Sequence, residues 1–378
     1  MAPNEQVVTI AAVGDVGTGH EPPESSFTHV LETLRSADVC FAQVERLYSE
    51  RGSYQGQGGG LHVRQKPRMA DAFKSVPFSV LSIGSNHTGD WGPEAVEDTA
   101  ETFRRLGIPT VGAGRDIREA RRAAIVTTKG LRIAFLGYVS VMLPQYWATD
   151  SRAGSAPMRA HTFYVPYEYQ PGAPARTVSV PDDEDLARLV QDVHEAKQHA
   201  DFVFVSLHWG VHYVARPAEY QPPVARAAID AGASVVLGHH PHQQQGIELY
   251  KNGVVFYSLG NFAFHRCGGA PAACMPEGRY LHKEVYSVEP EPGLVFDYRR
   301  HYNEGGIGFI DVDRNGIRRV AYLPTKLNAT GQPEVIRADD PQFEKSLAYL
   351  NWTGKFVEGG VTNMKAAEDC YEIYRRDS

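Results

Sequence analysis

Six short apolar runs, each stopping abruptly at glycine or at a polar, ionisable residue, constrain this chain more than any other feature. Val7–Val13 ends in Gly14-Asp15, Val39–Ala42 in Gln43-Val44-Glu45, and Phe78–Ile83 in Gly84-Ser85-Asn86-His87. Phe202–Leu207 ends in His208-Trp209-Gly210, Ser234–Leu237 in Gly238-His239-His240-Pro241-His242, and Val254–Leu259 in Gly260-Asn261. Apolar, β-branched-rich runs of this length read as buried strands. Helical patterns lie between them. Pro93–Leu106 has proline at its start and Gly107 after its end, and Asp183–Ala200 spaces Leu186, Leu189, Val190 and Val193 along one helix face. Val224–Ala231 lies between Pro222-Pro223 and Gly232. The expected fold class is α/β, in three or four layers, with mixed sheets flanked by helices. Ligands of such sheets collect beyond the carboxyl ends of the strands, where every polar cluster here falls.

With 378 residues, 42% of them hydrophobic, the chain can bury a large core in one principal domain. A net charge of −7 argues against a duplex-binding surface, so no nucleic-acid partner is expected. Met1-Ala-Pro-Asn-Glu-Gln is not a secretory leader, and no run reaches the roughly 18 apolar residues of a membrane helix. The expectation is a cytoplasmic protein without a membrane segment, its oligomeric state open. Cys40, Cys267, Cys274 and Cys370 are too few for a disulfide framework, although Cys267 and Cys274 could pair across a Gly/Ala/Pro loop.

Two stretches interrupt the alternation, 142–181 and 264–303, and both follow a strand end. Each reads either as an insertion overhanging the site or as a plain surface loop. Gly306–Val312 and Ile317–Leu323 flank Asp313-Arg314-Asn315-Gly316, a hairpin signal. Residues 1–330 read as the main domain. Residues 331–378 read as a helical extension, with a helix at Pro341–Leu350 and a weakly structured end.

A pair of divalent cations needs several carboxylate, imidazole or amide donors, one carboxylate able to bridge, and an open position for water. Asp15 and Glu45 supply hard oxygens, Asn86 an amide oxygen, and His208, His240 and His242 nitrogens suited to Mn, Zn or Fe. In an extended segment His240 and His242 face the same side, and Pro241 stiffens the link. Each residue has a plainer reading: Asp15 as a turn cap, Glu45 as a solvated charge, Asn86 as a turn residue, His208 as a core histidine. Six strands delivering such residues to one rim favours ligation. His239 reads as packing beside the site and Asn261 as a backbone anchor. Arg64 is a candidate for an anionic substrate group, or a solvated surface charge.

Gly14-Asp15, Gln43-Val44-Glu45, Ser85-Asn86-His87-Thr88-Gly89-Asp90, Ser206-Leu207-His208-Trp209-Gly210, Gly238-His239-His240-Pro241-His242 and Tyr257-Ser258-Leu259-Gly260-Asn261-Phe262 occur in this order. The set resembles the CapA group of bacterial proteins, named for capsule and poly-γ-glutamate synthesis, within the calcineurin-like metallophosphoesterase superfamily. The likeness runs from about Val7 to Phe264 and includes Gly107–Gly114. It implies a metallophosphoesterase-like fold and one or two divalent metals. One metal would be held by Asp15, Glu45 and His242, the other by Glu45, Asn86, His208 and His240. His87 would protonate the leaving group with its ring held by Asp90, and a metal-bound hydroxide would be the nucleophile.

The sequence departs from the superfamily pattern at its first motif. Asp-x-His is usual there, whereas Val16-Gly17 follows Asp15, so a ligand is missing unless His20 or His212 supplies it. Gln43-Val44-Glu45 stands where CapA-like chains commonly have Asn-Leu-Glu. Three readings follow: a hydrolase of a phosphoester or γ-glutamyl amide, a non-catalytic accessory of a polymer-synthesis complex, or a tailoring enzyme of secondary metabolism.

Overall fold

Five of the six apolar runs form strands that lead into their polar clusters. The computed structural model describes residues 6–55, 64–166, 168–173, 175–265 and 298–376. The Cys267–Cys274 pairing and most of the 264–303 stretch lie outside the described residues.

Two sheets pack face to face. Among the described residues the larger has ten strands, and its main path runs Lys365–Ala367, Cys370–Arg375, Gly316–Leu327, Glu304–Asp313, Val8–Gly17, Val39–Val44, Phe78–Ser82 and Thr110–Val111. Val8–Gly17 is parallel to Val39–Val44 and antiparallel to Glu304–Asp313, so the sheet is mixed. The second sheet runs Ile247–Tyr250, Gly253–Phe256, Val235–His239, Phe202–His208, Leu131–Val139 and Ala124–Thr128. Between the sheets lie Ile10, Ala12, Phe41, Phe135, Phe204 and Leu237, all buried, with Phe41 and Phe135 stacked at 5.4 Å.

The outer faces are covered as well. Pro93–Arg105 and two 3₁₀ segments, Pro23–Val30 and Pro67–Lys74, bury Phe27, Phe73 and Phe103 on the large sheet. Asp183–His199 and Gln221–Asp230 place Leu189, Val193, Val224 and Ala228 on the second sheet. Capping agrees with the sequence: the Asp182 side chain accepts from the Asp185 N–H, and Pro93 opens its helix. The result is a four-layered α/β sandwich.

Three elements differ from expectation. The Val254–Leu259 run is not one strand. It leaves the second sheet after Phe256, crosses, and restarts as Asn261–Phe264 beside Val8–Gly17 in the large sheet. Gly14 permits that crossing, since a Cβ there would lie 1.9 Å from the Gly260 carbonyl oxygen. The 142–181 stretch contains a hairpin, Ala160–Pro166 with Ala175–Pro181, rather than irregular loop alone. Beyond the helix Gln342–Thr353 the tail is not weakly structured. Together with Pro333–Val335, its strands Lys365–Ala367 and Cys370–Arg375 extend the large sheet, and Tyr371 enters the core. No helix among the described residues is long and apolar enough to cross a membrane.

Candidate metal centre

Parallel pairing puts the polar strand ends at one rim. Asp15 lies opposite Gln43 and also opposite Asn261, and His208 lies opposite His239. The packing of the two sheets then brings the rim residues of one sheet against those of the other.

One oxygen or nitrogen from each of Asp15, Glu45 and His242 lies within 4.8 Å of the others, and all three residues are buried. His242 Nε2 is 3.2 Å from Glu45 Oε1, and its Nδ1 is 3.7 Å from Asp15 Oδ2. A second group adjoins the first. His208 Nε2 is 2.9 Å from Asn86 Oδ1, and the His208 and His240 rings are 4.9 Å apart. The His240 ring lies 6.2 Å from that of His242, which joins the two groups.

His240 and His242 do not converge by the alternation of an extended strand. The strand ends at His239, and both histidines adopt positive φ, 95° and 55°. Few residues other than glycine do so without compensation. Here the His240 N–H donates to Asp15 Oδ2 at 3.1 Å, and the Pro241 carbonyl accepts from the Tyr213 N–H at 2.8 Å.

His87 Nδ1 lies 2.8 Å from Asp90 Oδ2, and its Nε2 is 3.3 Å from the Asn86 amide nitrogen. The carboxylate fixes the proton on Nδ1, so Nε2 faces the Asn86 side of the site. Tyr146, from the 142–181 stretch, packs over Gly89, and burial together with Asp90 pushes its hydroxyl up to about 12.

Electrostatics follow from burial and neighbours. Burial alone would raise Asp15, but the close imidazoles of His239, His208 and His242 hold its carboxyl below the usual range. His208 and His240 are pushed well below the ordinary imidazole value, burial being the largest cause. Burial would also lower His242, yet Glu45, Asp15 and the Asn261 hydrogen bond raise it to about 10.

Buried donor atoms decide whether these residues suit a cation. Asp15 Oδ1, both Glu45 carboxylate oxygens, His208 Nδ1 and His240 Nδ1 have no hydrogen-bond partner among the described residues. Glu45 touches His242 at ion-pair distance without the alignment of a hydrogen bond. Buried carboxylates left in this state are costly, and a divalent cation with oxygen and imidazole ligands removes the cost. The donor set fits.

Other candidate residues fall on both sides of this grouping. His212 joins it, its ring 3.9 Å from that of His240 and 5.4 Å from that of His242, and burial lowers it to about 3. His20 does not. Its ring nitrogens are taken by Ser26 Oγ at 3.1 Å and the Thr330 carbonyl at 2.9 Å. Arg64 stacks 3.9 Å from the Trp91 ring centroid and donates to the Arg51 carbonyl. Sequence reasoning read Asn261 only as a backbone anchor and passed over Arg46. Asn261 Oδ1 accepts from His242 Nδ1 at 2.8 Å while its amide donates to the Tyr302 carbonyl, so it orients the His242 ring as well as anchoring backbone. Arg46, directly after Glu45, packs against Phe264, whose ring meets that of His242 edge-on.

The sequence profile described as bacterial capsule synthesis protein PGA_cap matches residues 9–266. The chain belongs to this capsule synthesis protein family. Capsule biosynthesis protein CapA of Bacillus anthracis is 30% identical over 271 residues, covering 69% of this chain and 60% of that protein. PGA biosynthesis protein CapA of Bacillus subtilis is 28% identical over 343 residues, covering 88% and 78%. A probable polyglutamine synthesis accessory protein of Mycobacterium tuberculosis is 29% identical over 236 residues, covering 61% and 57%. Among solved structures, a phosphatase from Mycoplasma pneumoniae aligns over 90% of this chain and 97% of its own, with 13% identity and a TM-score of 0.44.

Proposed function

We propose that this PGA_cap family member is a metal-dependent hydrolase acting on a phosphoester or on an amide, such as a γ-glutamyl bond. The observation that carries the reading is the meeting, at one buried rim, of six donor residues from five strand ends with several donor atoms unpaired.

Asp15, Glu45 and His242 would hold one divalent ion. Asn86, His208 and His240 would hold another, with Glu45 shared. Manganese, zinc and iron all suit this donor set. When bound, such ions polarise the scissile group and make water acidic enough to attack near neutral pH. The chain's own part is position and proton transfer. His87 stands beside the ligands with Nε2 toward the site and delivers a proton to the departing group. Asp90 accepts from the Nδ1–H and so holds the ring with Nε2 toward the site. The γ-glutamyl option draws on the resemblance to the CapA group and on the relatives' names, which refer to capsule and PGA biosynthesis.

A second reading, a non-catalytic accessory to polymer synthesis, is favoured by the missing Asp-x-His histidine and by the name of the mycobacterial relative. A tailoring role in secondary metabolism would use the same site on another substrate. The test is a panel of phosphomonoesters, phosphodiesters and γ-glutamyl amides, with Asn86→Ala and His87→Ala as controls. Turnover that falls at least about a hundredfold in His87→Ala supports the mechanism. Equal turnover in wild type and both variants defeats it. Less than about half an equivalent of transition metal on purified protein would favour the accessory role, since each site needs a full ion.

A further inference from the structure

Five of the eight large apolar side chains that stand exposed among the described residues lie on one hairpin, Ala160–Pro166 with Ala175–Pro181 and the turn between them. Its register sets Phe163 opposite Val178, Val165 opposite Arg176 and His161 opposite Val180, and directly opposed residues share a face. One face of this ribbon is therefore mainly apolar, and it is uncovered. Phe163 is 53% exposed, Val180 39% and Val165 38%. The ribbon joins neither of the two large sheets, and a lone pair of strands is marginally stable in water.

Its two edges are not alike. The outer edge of Ala175–Pro181 is guarded, because Arg176 stands in that strand and the Ser179 N–H donates to Glu219 Oε2 at 2.8 Å. The same bond sets the ladder. Ser179 points its N–H outward, so Thr162 opposite it does too, and by alternation so does Tyr164. Among the described residues nothing pairs with the N–H or carbonyl of Thr162 or Tyr164. Thr162, Phe163, Tyr164 and Val165 carry no charge at neutral pH, and no bulge interrupts their pairing with the second strand. A neutral, regular edge of this kind is a template for another strand.

The strand also complements itself. Laid antiparallel against a second copy with Phe163 facing the partner's Phe163, it sets Thr162 against the partner's Tyr164, and Tyr164 against the partner's Thr162. Every outward N–H then finds a carbonyl, and the two phenyl rings meet as a cross-strand aromatic pair. His161 falls opposite the partner's Val165, so no like charges are opposed. We propose that the chain forms a two-fold dimer through this edge, joining two hairpins into one continuous sheet. The dimer is independent of the hydrolytic reading.

Sedimentation of the full chain over a concentration series tests it. Wild type should pass from monomer to dimer. Tyr164→Pro deletes one outward N–H from each copy and leaves the hairpin's own ladder whole, since that N–H takes no part in it. Losing those bonds should weaken dimerisation about tenfold or more. Phe163→Lys sets like charges against each other and should weaken it too, as should Phe163→Glu, yet an equimolar mixture of these two variants should dimerise. Phe163→Cys should cross-link two copies on oxidation beyond any wild-type background, because opposed residues of a pair without hydrogen bonds lie at disulfide distance. The proposal is overturned if wild type stays monomeric at every concentration, or if its dimer survives both Tyr164→Pro and Phe163→Lys. Should circular dichroism show the proline variant unfolded, the mixture of the two charged variants decides alone. A wild-type monomer that instead co-sediments with phosphatidylglycerol vesicles would overturn the dimer and assign the apolar face to a lipid surface.

Discussion

Replacing Asn261 with leucine should weaken metal binding at the Asp15–Glu45–His242 group without unfolding the protein. The Asn261 amide oxygen is the acceptor 2.8 Å from His242 Nδ1, and its amide nitrogen donates to the Tyr302 carbonyl at 2.8 Å. The second bond settles which end of the amide faces the imidazole. His242 therefore keeps its proton on Nδ1, and Nε2, facing Glu45, is the nitrogen that would give up its proton to ligate a metal. Leucine keeps the volume and removes both bonds. Partners of metal-bound histidines typically contribute 10- to 100-fold in affinity, about 1.4–2.7 kcal/mol. Asn261→Asp keeps the acceptor for His242 and should recover most of that loss. The assay is competition against a chelator with manganese or zinc, beside urea unfolding of the same samples. Leucine that binds metal within about twofold of wild type, in a folded protein, would refute the argument.

Three further outcomes are expected. Because His242 is held up to about 10 in the metal-free protein, loading at neutral pH must expel its proton. Affinity should rise about tenfold per pH unit toward 10, and calorimetry in buffers of different ionisation enthalpy should count about one proton released; none released contradicts this. The sign for stability is the reverse: a raised histidine stabilises the metal-free fold fully below about 6.5, and that contribution is lost as pH rises through about 10. Phe41→Ala empties a fully buried position stacked on Phe135 and should cost about 3–5 kcal/mol in urea unfolding, a loss under about 1 being inconsistent with the packing. Gly14→Ala forces a methyl into the Gly260 carbonyl and should lower the melting temperature together with metal affinity, whereas an unchanged melting curve would contradict the close approach.

The layered fold and the strand-end positions were legible in the sequence because a buried strand must be apolar throughout and must stop where polar, ionisable residues begin. Asp15, Asn86 and His208 were readable for that reason. Asn261 was not, because its role depends on the chain leaving one sheet after Phe256 and entering the other, and composition does not encode a sheet change. Arg46 carried no signal in the sequence, since Phe264, which it packs against, is more than two hundred residues away along the chain. The tail strands were hidden by their own solubility. Lys365–Ala367 and Cys370–Arg375 lie at the sheet edge, where charged residues are favoured and only Tyr371 is fully buried.

The His240-Pro241-His242 segment brings its two rings to one rim by a geometry other than the extended one its sequence suggests. Extended backbone would have aligned the two rings at no cost, whereas two histidines at positive φ cost about 1–3 kcal/mol each. Asp15 bears part of that cost, since Oδ2 accepts the His240 N–H while the same carboxylate faces His242. It therefore belongs to one donor group by its charge and to the other through the backbone. Asp15→Ala should weaken binding of both ions, and His242→Ala chiefly one. A chelator titration that resolves two ions in wild type separates these outcomes. Identical binding curves for the two variants would mean that the carboxylate does not fix the His240 backbone, and that the strained turn is held by the Tyr213–Pro241 hydrogen bond and its packing alone.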